Sequence, residues 1–176
     1  MKRYHSFLVV LHWLLAIMVI LGLILGGNVL SATPNSEPEK LFYLQMHMTM
    51  GMVILVLMGL RLVIRLFTQK PPNADIGNDL LNKLGVATHY VFYALVILMG
   101  VSGLATANLA GLPEIVFAGS GEALPATFDD FPPRVAHGVI AALLTVFIAA
   151  HVLAFLFHQY VRKDHLFSRM WFGPRK

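Results

Sequence analysis

VAHGVIAALLTVFIAAHVLAFLFHQYV, residues 135–161, is a run of 27 residues without Asp, Glu, Lys or Arg, closed by Arg134 on one side and Arg162 on the other. A bilayer core of ~30 Å is crossed by about 20 apolar helical residues, so this run can span it. Three more charge-free runs precede it: 33 residues between Arg3 and Glu37, 20 between Lys40 and Arg61, and 30 between Lys83 and Glu114. Each can span as well. The expectation is an all-α integral membrane four-helix bundle, a single transmembrane domain over 1–176, with helices near 4–29, 41–67, 84–108 and 133–161. Pro34 and Pro38 interrupt the first connection, and Pro71-Pro72 closes the second helix. The connection from Ala110 to Pro132 is long and rich in Gly and Pro, with a short helix expected around Glu114 to Ala118.

Composition supports a membrane as the solvent. Charged residues make up 12% of the 176 residues and hydrophobic ones 57%, against roughly a quarter charged in soluble domains. A net charge of +4 raises nucleic acid as a partner, but the basic residues flank the spans and form no stripe, which excludes it. They report orientation. Lys2, Arg3, Arg61, Arg65, Lys70, Lys83, Arg162, Lys163, Arg169, Arg175 and Lys176 fall on one side, 11 of the 13. By the positive-inside bias, both termini are expected in the cytoplasm. The other side carries Lys40 and Arg134 with six acids, Glu37, Glu39, Glu114, Glu122, Asp129 and Asp130. A cleaved leader is rejected because the first run is long enough to span and lacks a small-residue exit. Tyr4, Trp13, Tyr43, Tyr160 and Trp171 are expected as interfacial anchors.

The absence of cysteine removes iron–sulfur clusters, disulfides and covalent C-x-x-C-H haem attachment together. Histidine carries the chemistry instead. His12, His47, His89, His137 and His151 lie inside the spans, where polar side chains face a partner or a cofactor. At ~1.5 Å per residue, His12 and His151 lie about 10–12 Å in from the cytoplasmic helix ends, while His47 and His137 lie about 9 and 5 Å in from the outer ends. The two on the fourth helix are 14 residues apart, which places them within ~40° of one face and about 21 Å apart along the axis. Two depth-matched pairs on facing helices suit two haems, each held by two axial imidazoles.

Zinc needs about four converging ligands, and each level offers two. The alternation Met46, Met48, Met50 and Met52 around His47 divides over different helix faces, which disfavours copper. Gly51 and Gly138, beside the histidines, are candidate openings for a macrocycle, with ordinary helix contact as the competing account. Arg61 and Arg65 share the face of His47 and are candidates to pair with propionates, against snorkelling anchors; Arg134 stands in the same relation to His137. His158 and His89 near the cytoplasmic end are candidates for a quinone pocket or for proton supply, against plain interfacial polarity. His5 and His165 read as surface residues.

The ordered set His12-Trp13, His47 with Gly51, Arg61-Leu62 and Arg65, Pro71-Pro72, His89 with Tyr93, Ser102-Gly103, His137, His151, His158 and the tail Lys163-Asp164, Leu166, Arg169-Met170 resembles the bacterial cytochrome b561 family over essentially the whole chain. The resemblance implies an inner-membrane cytochrome with two b haems. Its metal ligands would be His12 with His151 at the inner haem and His47 with His137 at the outer, agreeing with the depth estimate. It also implies electron transfer to ubiquinone, with superoxide described as a donor within the family, and a quinone site at His158. An anionic donor favours a positive outer face, whereas the outer segments here are acidic. The competing function is a membrane anchor and electron conduit for a separate dehydrogenase or hydrogenase subunit; a haem-free metal transporter is a third reading.

Overall fold

The computed structural model describes residues 3–73, 75–164 and 166–172; of the residues read above, Lys2, His165, Arg175 and Lys176 lie outside them. Four long helices run in order: α1 (Ser6–Ile24), α2 (Glu39–Phe67), α3 (Asp79–Leu109) and α4 (Pro132–Leu156). Among the described residues there is no strand. The first and fourth helices continue as π-helical turns, Leu25–Leu30 and Phe157–Arg162. All four are long and apolar enough to cross a membrane.

The ends of the helices follow local chemistry. At the start of α1 the exposed His5 ring nitrogen Nδ1 accepts from the Phe7 amide at 3.3 Å. Helix α3 begins at Asp79 and not near residue 84, because Asn78 caps it, its side chain accepting from the Leu81 amide at 3.1 Å; such a cap satisfies one of four orphan donors. Just upstream, the Gly77 amide and Asn82 carboxamide donate to Asp75 and hold its carboxyl below the usual carboxylate range. Two prolines open α4, where their missing amides cost nothing. A π-helical turn, Pro113–Phe117, stands where the short helix was expected.

Neighbouring helices pack α1 on α2, α2 on α3 and α3 on α4. The core at mid-height joins Leu15, Met58, Tyr93, Val96 and Leu144. A second apolar cluster, Leu44, Ala107, Ala110 and Leu112, seals the end bearing the two connections 31–38 and 110–131, here called the loop end. Outward-facing positions such as Val56, Val146 and Leu153 are exposed and apolar, as lipid contact requires.

Both ends are stitched through side chain to backbone bonds. At the loop end Asn35 donates to the Pro125 carbonyl at 2.7 Å, joining the two connections. Lys40, 4% exposed, donates to the carbonyls of Leu30 and Thr33, both at 2.6 Å, so a cation caps the end of the first span. At the terminal end, the Tyr4 amide meets the Arg169 carbonyl at 3.1 Å and Arg169 reaches the Pro72 carbonyl at 2.6 Å. Trp13 is more than an interfacial anchor: its indole donates to the Met170 carbonyl at 2.9 Å, and its ring packs on Phe167 and Trp171.

Removing the Lys40 ammonium leaves two carbonyls without their donor. Lys40→Met is expected to destabilise the fold by about 1–3 kcal/mol, the usual cost of an unsatisfied buried group. The check is the thermal unfolding midpoint in detergent; an unchanged midpoint would show that the ammonium is not what satisfies those carbonyls.

Candidate functional site

Five histidines sit within the four helices, and four of them meet as two pairs across the bundle. The His12 ring on α1 and the His151 ring on α4 have centres 6.4 Å apart with planes at 71°. Nearer the loop end, His47 on α2 and His137 on α4 have centres 6.1 Å apart at 73°. A metal–imidazole bond of about 2 Å places a ring centre about 3 Å from the metal, so two axial imidazoles have centres about 6 Å apart. Both separations match that requirement.

The His47/His137 pair is wedged between glycines. A Cβ on Gly26, in the π-helical turn after α1, would stand 3.1 Å from His47 Cε1 and 3.4 Å from its Nδ1. On Gly103 of α3, a Cβ would stand 3.2 Å from His137 Cε1 and 3.5 Å from its Nδ1. Each ring therefore rests its Nδ1 edge on a neighbouring helix. The Ser102 hydroxyl donates to the Met99 carbonyl at 2.9 Å, and His137 Nδ1 lies 3.1 Å from both that carbonyl and Ser102 Oγ. With the hydroxyl proton already committed, Nδ1 carries the ring proton and donates it. Nε2 keeps its lone pair, the arrangement that orients a metal-binding histidine. His47 Nδ1 is buried and has no partner among the described residues.

The His12/His151 pair has aromatic and cationic surroundings. Trp13 lies 5.3 Å from His12, and Phe92 lies 5.4 Å from His151, centre to centre. His89 is brought to the same place, its ring 6.0 Å from His151. Its Nδ1 faces the Gly85 carbonyl at 2.8 Å, so it too carries its proton on Nδ1. Arg61 and Arg65 are both buried. Arg61 donates to the Leu8 carbonyl at 2.8 Å and lies beside the Tyr93 hydroxyl; Arg65 stands over the Tyr90 ring at 6.0 Å, and its Nε has no partner among the described residues.

His158 stands apart from both pairs, at the terminal end beside Asp164, 2.5 Å from Nδ1 to Oδ2. Arg134 opens α4 at the loop end, where a cleft of about 820 Å³ is lined by Lys40, Phe128, Asp129 and Arg134 among others. A built Cβ on Gly51 meets nothing within 4 Å, the open space that a candidate opening requires, whereas Gly138 faces the Arg134 guanidinium at 3.3 Å; neither backs an imidazole as Gly26 and Gly103 do. Gly26 was not singled out from the sequence, where nothing distinguishes it from Gly22 or Gly27. Among the described residues no three His, Cys, Asp or Glu side chains converge as a metal-binding group.

Residues 3–173 match the family described as prokaryotic cytochrome b561. The chain belongs to that family. It is therefore a multi-pass membrane cytochrome, and membership carries b-type haem binding. It is 30% identical over 180 residues to a protein from Yersinia pestis named probable superoxide oxidase CybB, covering 99% of this chain and 98% of that one. It is 26% identical over 171 residues to cytochrome b562 of Cereibacter sphaeroides, covering 95% and 94%.

Gly103 supplies a direct check on the geometry of this cytochrome. Gly103→Val is expected to displace the His137 ring and alter the b-haem absorption spectrum. A normal spectrum in Gly103→Val would show that the ring does not depend on that backing.

Proposed function

We propose that the chain is a di-haem b-type cytochrome of the bacterial inner membrane that passes electrons from a donor at the loop end to ubiquinone at the terminal end. The observation that carries this reading is the pair of imidazole–imidazole separations, 6.4 Å and 6.1 Å, on facing helices. His12 and His151 would hold one haem, and His47 and His137 the other. Bound there, b-type haem would supply reversible one-electron transfer. The terminal end carries Arg3, Arg61, Arg65, Lys70, Lys83, Arg162, Lys163 and Arg169, which supports placing it in the cytoplasm.

The chain's own residues do the positioning. Met99 and Ser102 fix the His137 ring through Nδ1. Arg65, buried with a free Nε, suits a carboxylate of the inner haem, and Arg61 adds positive charge beside it. His158 and His89 near the terminal end contact the quinone and supply protons, since quinone reduction consumes both. Superoxide is the donor supported by the name of the Yersinia relative. Because the Lys40 ammonium is taken up by two carbonyls, Arg134 is the basic group left in the loop-end cleft to attract an anion there.

Haem stoichiometry tests the pairing. His12→Ala and His151→Ala should each remove one haem, and His47→Ala and His137→Ala the other; loss of the same haem from His12→Ala and His47→Ala would refute it. Purified protein should reduce ubiquinone with superoxide alone. Activity that appears only with a co-purifying redox subunit would instead make this chain a membrane conduit for that subunit.

A further inference from the structure

The π-helical turn that ends the fourth span closes on Lys163, whose φ of 57° is the one positive value at a non-glycine among the described residues. A left-handed residue at a helix C-terminus is ordinarily glycine, because a Cβ is strained there. Its effect here is to turn the chain back, so that the Asp164 amide meets the His158 carbonyl at 3.3 Å. The same reversal brings the Asp164 carboxylate onto the imidazole, Oδ2 to Nδ1 at 2.5 Å. Arg162 Nε stands 3.7 Å from that oxygen, and Arg162 also reaches the Ile76 carbonyl at 3.5 Å, tying the turn to the α2–α3 connection. Asp164 Oδ1 and Gln159 Oε1 are buried without partners among the described residues.

We propose that Asp164 is the positioning residue that makes His158 the proton donor to the quinone, an inference that rests on the quinone site proposed above. A carboxylate accepts a hydrogen bond and cannot give one while ionised. It therefore holds the His158 proton on Nδ1 and aims Nε2, which carries the second proton in the imidazolium form, away from the turn. Arg162 Nε, 3.7 Å from Oδ2, places a cation beside the same carboxylate. Reduction of a quinone to a hydroquinone takes two electrons and two protons; the electrons come singly from the reduced donor of the cytochrome, and the protons from water. In each transfer the Nε2–H bond of His158 breaks and an O–H bond forms at a quinone oxygen. The imidazole then regains a proton from the aqueous side, and Asp164 itself transfers none. The unpartnered Asp164 Oδ1 and Gln159 Oε1 are acceptors suited to the hydroxyl hydrogens of the product.

The experiment uses the purified haem-loaded full chain and a short-chain ubiquinone. Asp164→Asn is expected to lower kcat for quinone reduction by about 100-fold, the low end of the usual acid–base contribution, with KM and haem spectrum unchanged. Asp164→Glu should restore most of the rate. In the reduced, diamagnetic protein labelled with ¹⁵N-histidine, the Nδ1 proton resonance of His158 should persist in Asp164→Glu and vanish in Asp164→Asn. His158→Ala separates the two levels of the argument. Wild-type quinone reduction in His158→Ala overturns the quinone site itself; impaired His158→Ala with wild-type kcat in Asp164→Asn overturns only the role of Asp164. Loss of the haem spectrum in both Asp164 variants also overturns it, since the contact would then hold the fold and not the proton.

Discussion

Hydrocarbon offers no hydrogen bonds, so each polar group carried into a span must be satisfied by the helix it sits on or by another helix. The two solutions divide cleanly here by residue type. Thr88, Ser102, Thr106, Asn108 and Thr145 turn their side chains back to carbonyls three or four residues earlier on their own helices. Apart from Ser102, whose oxygen also meets His137 Nδ1, those residues place no demand on the packing. An imidazole on a helix is poorly placed to bond its own backbone at both nitrogens, and the four paired histidines reach across the bundle instead. The arrangement of α1, α2 and α4 follows from which imidazoles must face one another. Helix α3 completes it by supplying Gly103, Ser102 and Phe92 as walls.

The buried cations follow a different rule. Lys40, Arg61 and Arg65 are all buried, yet the charge-free runs contain no acid to pair with them. Lys40 and Arg61 find backbone carbonyls, which are dipoles and leave the positive charge uncancelled. Arg65 leans on an aromatic face and keeps Nε free. Charge buried without a counter-ion is costly, and the cost falls if an acidic group from outside the chain completes the site. The proposed carboxylate-bearing cofactor would meet that need at Arg61 and Arg65, joining the electrostatics of the terminal end to the chemistry of the imidazoles.

The four spans were legible because a bilayer imposes one length on every helix, and a soluble domain, which must keep a charged surface, seldom carries a charge-free run of that length. The facing of His12 with His151 and of His47 with His137 was legible for a related reason: in a bundle of spanning helices, distance along the chain converts almost directly to depth. What depth cannot report is rotation and close approach. Gly51 and Gly138 were singled out by nearness in sequence to a histidine, whereas the glycines that touch the rings, Gly26 and Gly103, lie on other helices. The α-helical register also conceals the π-helical turns that end the first and fourth spans, and with them the reversal at Lys163 that pairs His158 with Asp164. The sequence places Lys40 among the outer charges; its inward aim depends on where the first span ends, which apolar length leaves open by several residues.

Helix α4 acts as the ruler of the site. Fourteen residues separate His137 from His151, close to four turns at about 3.6 residues each, so both imidazoles return to one face. A spacing of 12 or 16 would turn one of them by roughly 120–160° and point it toward a different neighbour or toward lipid. The same spacing covers about 21 Å of a hydrocarbon core about 30 Å thick, a distance one imidazole pair cannot bridge. Face and depth are thus set by a single number in the sequence. Because α1 and α2 run in opposite directions, each places its own histidine at one of those two depths, His12 toward the terminal end and His47 toward the loop end. A one-residue insertion between His137 and His151 would leave every span apolar and long enough, and the fold class intact. It would still rotate one ring by about 100° away from its partner, so the pairing is a stricter property of this chain than its helices are.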